Sequence, residues 1–68
     1  MKQEARIGNI LVRAREWRKG NHHRIYFTEV GPRNAGQAIW DVNQKSWIRC
    51  KREFGWRMKE SIKQEWGL

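Results

Sequence analysis

Between Ile10 and Arg18 apolar and polar side chains alternate, with Ile10, Val12 and Ala14 on one side and Leu11, Arg13, Arg15 and Trp17 on the other. That period of two is the mark of a half-buried β-strand. Lys19-Gly20-Asn21 then offers residues that tolerate positive φ, and His22–Val30 is rich in β-branched and aromatic side chains, so the two runs predict a hairpin. The breaker cluster Gly31-Pro32-Arg33-Asn34-Ala35-Gly36 predicts a loop, followed by a third strand over Gln37–Val42. Asn43-Gln44-Lys45 can turn the chain again and return it as a short fourth strand, Ser46–Lys51. From Arg52 the period changes: Phe54, Met58, Ile62 and Trp66 recur every four residues, with Lys59, Glu60, Lys63 and Gln64 between them. This predicts an amphipathic helix closed by Gly67 and held by packing on the sheet.

The expected fold is therefore α+β: a small antiparallel sheet of three to four strands packed against one C-terminal amphipathic helix. Residues 1–68 are expected to form a single small basic domain with frayed ends. Its expected core is Ile10, Val12, Ile25, Phe27, Ile39, Ile48, Phe54, Met58 and Ile62. The N-terminal segment has a rival pattern, because Ile7, Ile10, Leu11, Ala14 and Trp17 also follow helical spacing. Gly8-Asn9 within that stripe costs helix propensity, so strand is preferred and α-β-β-β-α is the alternative.

Composition changes the picture in two ways. At 68 residues the chain has room for one small core. Its 32% charged residues would suit a disordered arm, but five Trp, one Tyr and two Phe argue for a folded unit. Fifteen Lys and Arg against seven Asp and Glu give a formal charge of +8, which predicts an anionic partner. The basic residues concentrate toward the two ends, and the sequence does not say whether those ends share a surface. One Cys excludes an internal disulfide, and no apolar run approaches the roughly 18 residues of a membrane span. A cytoplasmic location without membrane contact is the expectation.

Candidate chemistry follows from the alternation. Arg13, Arg15 and Trp17 share one side of their strand, and Arg24 with Tyr26 forms the equivalent row on the next. Guanidinium groups pair with phosphates or guanine edges, and aromatic rings stack on unpaired bases. The competing explanation is that these side chains solvate the outside of a one-layer sheet, with Trp17 and Tyr26 as cross-strand packing partners. Arg49, Lys51 and Arg57 are the least compensated cations of the C-terminal third, and Arg33 stands at the tip of the breaker loop; these four join the expected nucleic-acid contacts. Trp56 lies off the helical stripe, and Trp40 and Trp47 flank a turn that brings them within packing reach.

His22-His23 supplies no metal-ligand spacing, since neighbours on a strand point to opposite faces. Cys50, the His pair and Asp41 have no catalytic motif around them, and the breaker loop lacks the Gly-Lys-Ser/Thr ending of a phosphate loop. No cofactor, metal or catalysis is expected.

The order of strands followed by a C-terminal helix, with a basic sheet face, resembles small DNA-binding modules whose three-stranded sheet lies in the major groove. The arm-binding domains of some phage and transposon integrases are of this kind. With a helical N-terminus the order is instead similar to a double-stranded-RNA-binding domain, Gly31-Pro32 standing where that family has a Gly-Pro loop. The His that follows in that family and its Lys-Lys-x-x-Lys helix opening are absent here, so no family residues are carried over. The functional expectation is nucleic-acid binding, DNA ahead of RNA and duplex ahead of single strand. The alternative is a protein-protein interaction module or small accessory regulator of a phage, plasmid or bacterium. The chain is expected to be a monomer or weak homodimer.

Overall fold

The computed structural model describes residues 1–31 and 36–68, with the side chains of residues 52–55 outside the description. The chain is α+β: β1 (Glu4–Ile7), β2 (Ile10–Lys19), β3 (His22–Val30), β4 (Gln37–Asp41), β5 (Ser46–Lys51) and α1 (Arg52–Trp66). The strands form one antiparallel sheet in sequence order, each paired with the next.

The expectation of three to four strands is corrected to five among the described residues. The added strand is β1, created by the dipeptide that argued against a helix. Gly8 takes φ +61° and, with Asn9, turns the chain between the paired residues Ile7 and Ile10. A two-residue turn with glycine first matches the right-handed twist of its flanking strands. Gly20, at φ +58°, does the same between Lys19 and His22. The helical alternative for the N-terminal segment is thereby set aside.

Alternation divides the sheet into two faces. Val12 and Ala14 of β2, Ile25 and Phe27 of β3, and Ala38 and Trp40 of β4 form a buried cluster with Ile62 of α1. Phe27 is its centre: fully buried, it meets Trp47 and Trp66 edge to face at centroid distances of 5.8 and 5.0 Å. Trp40 and Trp47 pair across the β4–β5 turn at 5.0 Å, also edge to face. Such rings bury large apolar areas, and edge-to-face contacts suit their quadrupoles.

The helix ends as its sequence predicts. Gly67 is left-handed at φ +66°, and the backbone N–H of Leu68 donates to Lys63 O at 2.9 Å, a Schellman-type closure. Trp66 Nε1 donates to Lys2 O at 2.8 Å, which ties the end of α1 to the start of the chain.

Two core expectations change. Ile48 is exposed, because the register shifts between Ile39, which faces Arg49, and Trp40, which faces Trp47. Ile48 is the residue left over in that bulge, and Trp47 takes the inward position. Ile39 is buried, but on the face away from the helix, between its cross-strand partners Tyr26 and Arg49. Phe54 has its side chain outside the described residues.

β2 outruns β1. The last link between them is the Ala14 N–H donating to Gln3 O at 2.8 Å. Backbone groups on a strand alternate in direction. The N–H and C=O of Glu16 and Arg18 therefore face the same edge, with no strand beside them among the described residues.

Candidate nucleic-acid interface

The face opposite α1 is built in rows that cross the strands. One row runs Glu4, Arg13, Thr28, Gln37, Lys51; the next Arg15, Tyr26, Ile39, Arg49; the third Trp17, Arg24, Asp41, Ser46. Seven of the nine residues singled out from the sequence, Arg13, Arg15, Trp17, Arg24, Tyr26, Arg49 and Lys51, thus share one surface. Arg57 lies on α1, across the sheet from them. Arg33 falls outside the described residues.

The cations of this face differ in how far they are already engaged. Arg13 donates to Glu4 through Nε at 2.8 Å and a terminal nitrogen at 2.6 Å. Arg24 lies 5.5 Å from the Trp17 ring centroid with its Nε 3.9 Å from Asp41 Oδ2. That Nε is buried without a hydrogen-bond partner, and Asp41, itself buried, spends Oδ1 on the Gln44 N–H at 2.8 Å. Arg15, Arg49 and Lys51, by contrast, have no carboxylate partner among the described residues. These three carry the free positive charge of the face.

Trp17 has two ring contacts. Arg24 lies over its ring, and His22 stacks on it at 6.4 Å with an interplanar angle of 27°. His23 points the other way, its Nε2 2.5 Å from Glu16 Oε2. Glu16 also accepts from Arg18 at 2.9 Å, and these hydrogen bonds, Arg18 foremost, hold its carboxyl below the usual carboxylate range. The two histidines thus serve separate contacts. Among the described residues no three His, Cys, Asp or Glu gather as a metal site.

Burial pushes the Cys50 thiol up, with Lys59 opposing more weakly. A thiol kept protonated is a poor nucleophile, and the side chain packs against the core cluster.

Sequence reasoning missed Gln37 and Thr28. Gln37 was read only as part of a strand and Thr28 only as a solvating side chain of the outer face, and their place beside Arg15 and Tyr26 depends on register across three strands. It also missed that Arg13 is paired, since Glu4 belongs to the unforeseen β1. No protein-family model matches the chain, and neither a curated protein nor a solved structure matches it.

Proposed function

We propose that this chain binds nucleic acid through the open face of its sheet, with Arg15, Arg49 and Lys51 as phosphate contacts and Trp17 and Tyr26 as the aromatic surface between them. The observation that carries the reading is the combination, on one face, of aromatic rings with cations that have no carboxylate partner among the described residues, on a chain of charge +8. Long-range attraction brings the polyanion to such a surface, and counterion release supplies the affinity. Arg13 and Arg24 are support: each is partly neutralised, and Arg24 orients Trp17. DNA is proposed ahead of RNA on the expectation drawn from the sequence.

The test is binding of labelled duplex and single-stranded DNA and RNA at about 50 and 200 mM salt, wild type against Arg15→Ala/Arg49→Ala. The expected outcome is steep weakening with salt in the wild type. In the double variant affinity is lower, and the log–log salt slope is shallower by about 0.7–0.9 for each phosphate contact removed. Absence of binding at low salt refutes the reading. The second reading, a protein-interaction module, would then rest on Trp56, which stands 64% exposed on α1 with Lys59 Nζ 4.5 Å from its ring centroid. Exposed Trp is an enriched anchor type at protein interfaces.

A further inference from the structure

On the open face, Arg15 and Trp17 of β2, Tyr26 and Thr28 of β3 and Gln37 of β4 line, with Glu16, a depression of about 360 Å³. Arg15 stands opposite Tyr26, and Thr28 opposite Gln37, so the ring and the cation lie one row from the hydroxyl and the carboxamide. Trp17 enters this wall already oriented by Arg24 and His22. The side chains of Arg15, Tyr26, Thr28 and Gln37 make no hydrogen bond or ion pair among the described residues. A larger depression of about 600 Å³ opens where β1 stops beside β2, but Glu4 and Arg13 in its wall are spent on each other and no aromatic ring lines it.

A flat apolar wall, an amide that both donates and accepts, a hydroxyl and one uncompensated cation together match a nucleobase with its phosphate. Bases inside a duplex are stacked on both sides, so only an unpaired base can offer its face to a ring and its Watson–Crick edge to an amide. Width points the same way. Five strands span about 19 Å from first to last, whereas the major groove is about 12 Å wide. Resting on the nucleic-acid reading above, we propose that the depression seats an unpaired base of a single strand. Its face lies on Trp17 and Tyr26, its edge meets Gln37 and Thr28, and its phosphate meets Arg15. The strand then continues across β4 toward Lys51, the cross-strand neighbour of Gln37. An unpaired strand takes the place of the duplex preferred from the sequence.

The experiment uses fluorescence anisotropy with labelled oligothymidylate and oligouridylate of about 12 nucleotides, a duplex of equal length, and the same deoxyribose-phosphate backbone without bases. Expected is binding of the thymidylate about tenfold or more tighter than of the duplex or the base-free backbone. Trp17→Ala and Gln37→Ala are each expected to weaken thymidylate binding several-fold with the salt slope unchanged, whereas Arg15→Ala makes the slope shallower. The uridylate, which differs in both the 2′-hydroxyl and the C5 methyl group, is also expected to bind more tightly than the base-free backbone, because it too carries unpaired bases. Equal binding of base-free backbone and thymidylate overturns the base site while leaving phosphate binding intact, as does a duplex bound as tightly as the single strand. Loss of all binding at low salt overturns the broader reading as well. Should Trp17→Ala fail to fold by circular dichroism, the base-free comparison on the wild type and the Gln37→Ala variant still decide.

Discussion

The two faces of the sheet are made by the same strands, one residue out of phase, and they obey different rules. Phe27 on the helix side is fully buried and meets two tryptophan rings; its neighbour Tyr26, on the open side, is only half-buried and faces Arg15 across the strand pair. On the helix side the apolar side chains and rings pack on one another, with the Trp47 indole N–H buried and unbonded among them. On the open side three cations, a hydroxyl and a carboxamide find no partner among the described residues. If the open face binds as proposed, stability and recognition are separated by a single step along the backbone, and substitutions should affect one without the other.

The largest effect is expected at the centre of the buried face. Phe27→Ala should cost about 3–5 kcal/mol, comparable with the whole stability of a domain this small. Urea melts or amide dispersion should show a chain largely unfolded at room temperature. A cooperative melt near the wild-type midpoint would mean that the helix side is not the core. Arg15→Ala/Arg49→Ala is the counterpart: its unfolding free energy from urea melts should stay within about 0.5 kcal/mol of wild type while nucleic-acid affinity falls. Loss of fold in that variant would end the separation of roles.

A smaller effect tests the bulge. Ile48→Thr should change stability by no more than about 0.5 kcal/mol, because the side chain is exposed. Ile25→Thr, in the buried cluster, should cost about 1–3 kcal/mol for an inward hydroxyl. Equal costs would place Ile48 back in the core.

The smallest effect concerns Glu16 at the rim. Its carboxyl is held below the ordinary value by Arg18 and His23, so the folded state favours the ionised form. That contribution is complete above the ordinary value of about 4.5 and fades as pH falls through the lowered folded value. Thermal melts should therefore show wild type above Glu16→Gln at about pH 6, with the gap closing toward about pH 3. A gap independent of pH would assign the difference to packing alone.

Much of the fold could be read from the chain because each long element carries its own period. The ten residues of β2 alternate for most of their length, and Phe54, Met58, Ile62 and Trp66 mark a helix without help from neighbours. β1 could not be read this way: four residues with one Ile offer too short an alternation, and its meaning comes only from pairing with β2. The bulge at Ile48 was hidden for a related reason, since the count that ejects it is set between two strands. The same distinction governs the open face. Alternation put Arg13, Arg15 and Trp17 together within one strand. The row that joins Arg15 to Arg49, the pairing of Arg13 with Glu4 and the arrival of Gln37 beside Tyr26 are products of register.

The step where β1 stops has a consequence for how the molecule breathes. From Arg15 to Lys19, β2 is bonded on one side only among the described residues, and a strand so held is the cheapest part of a sheet to release. Amide hydrogens of Glu16 and Arg18 should exchange with solvent quickly, while those of Arg15 and Trp17, turned toward β3, are shielded until the corner lifts. Local opening there would carry away Arg15 and Trp17 and leave Tyr26, Thr28 and Gln37 on the inner strands. A ligand gripping both groups would be the clasp that closes this corner, and its arrival would be written in the slowed exchange of those few amides.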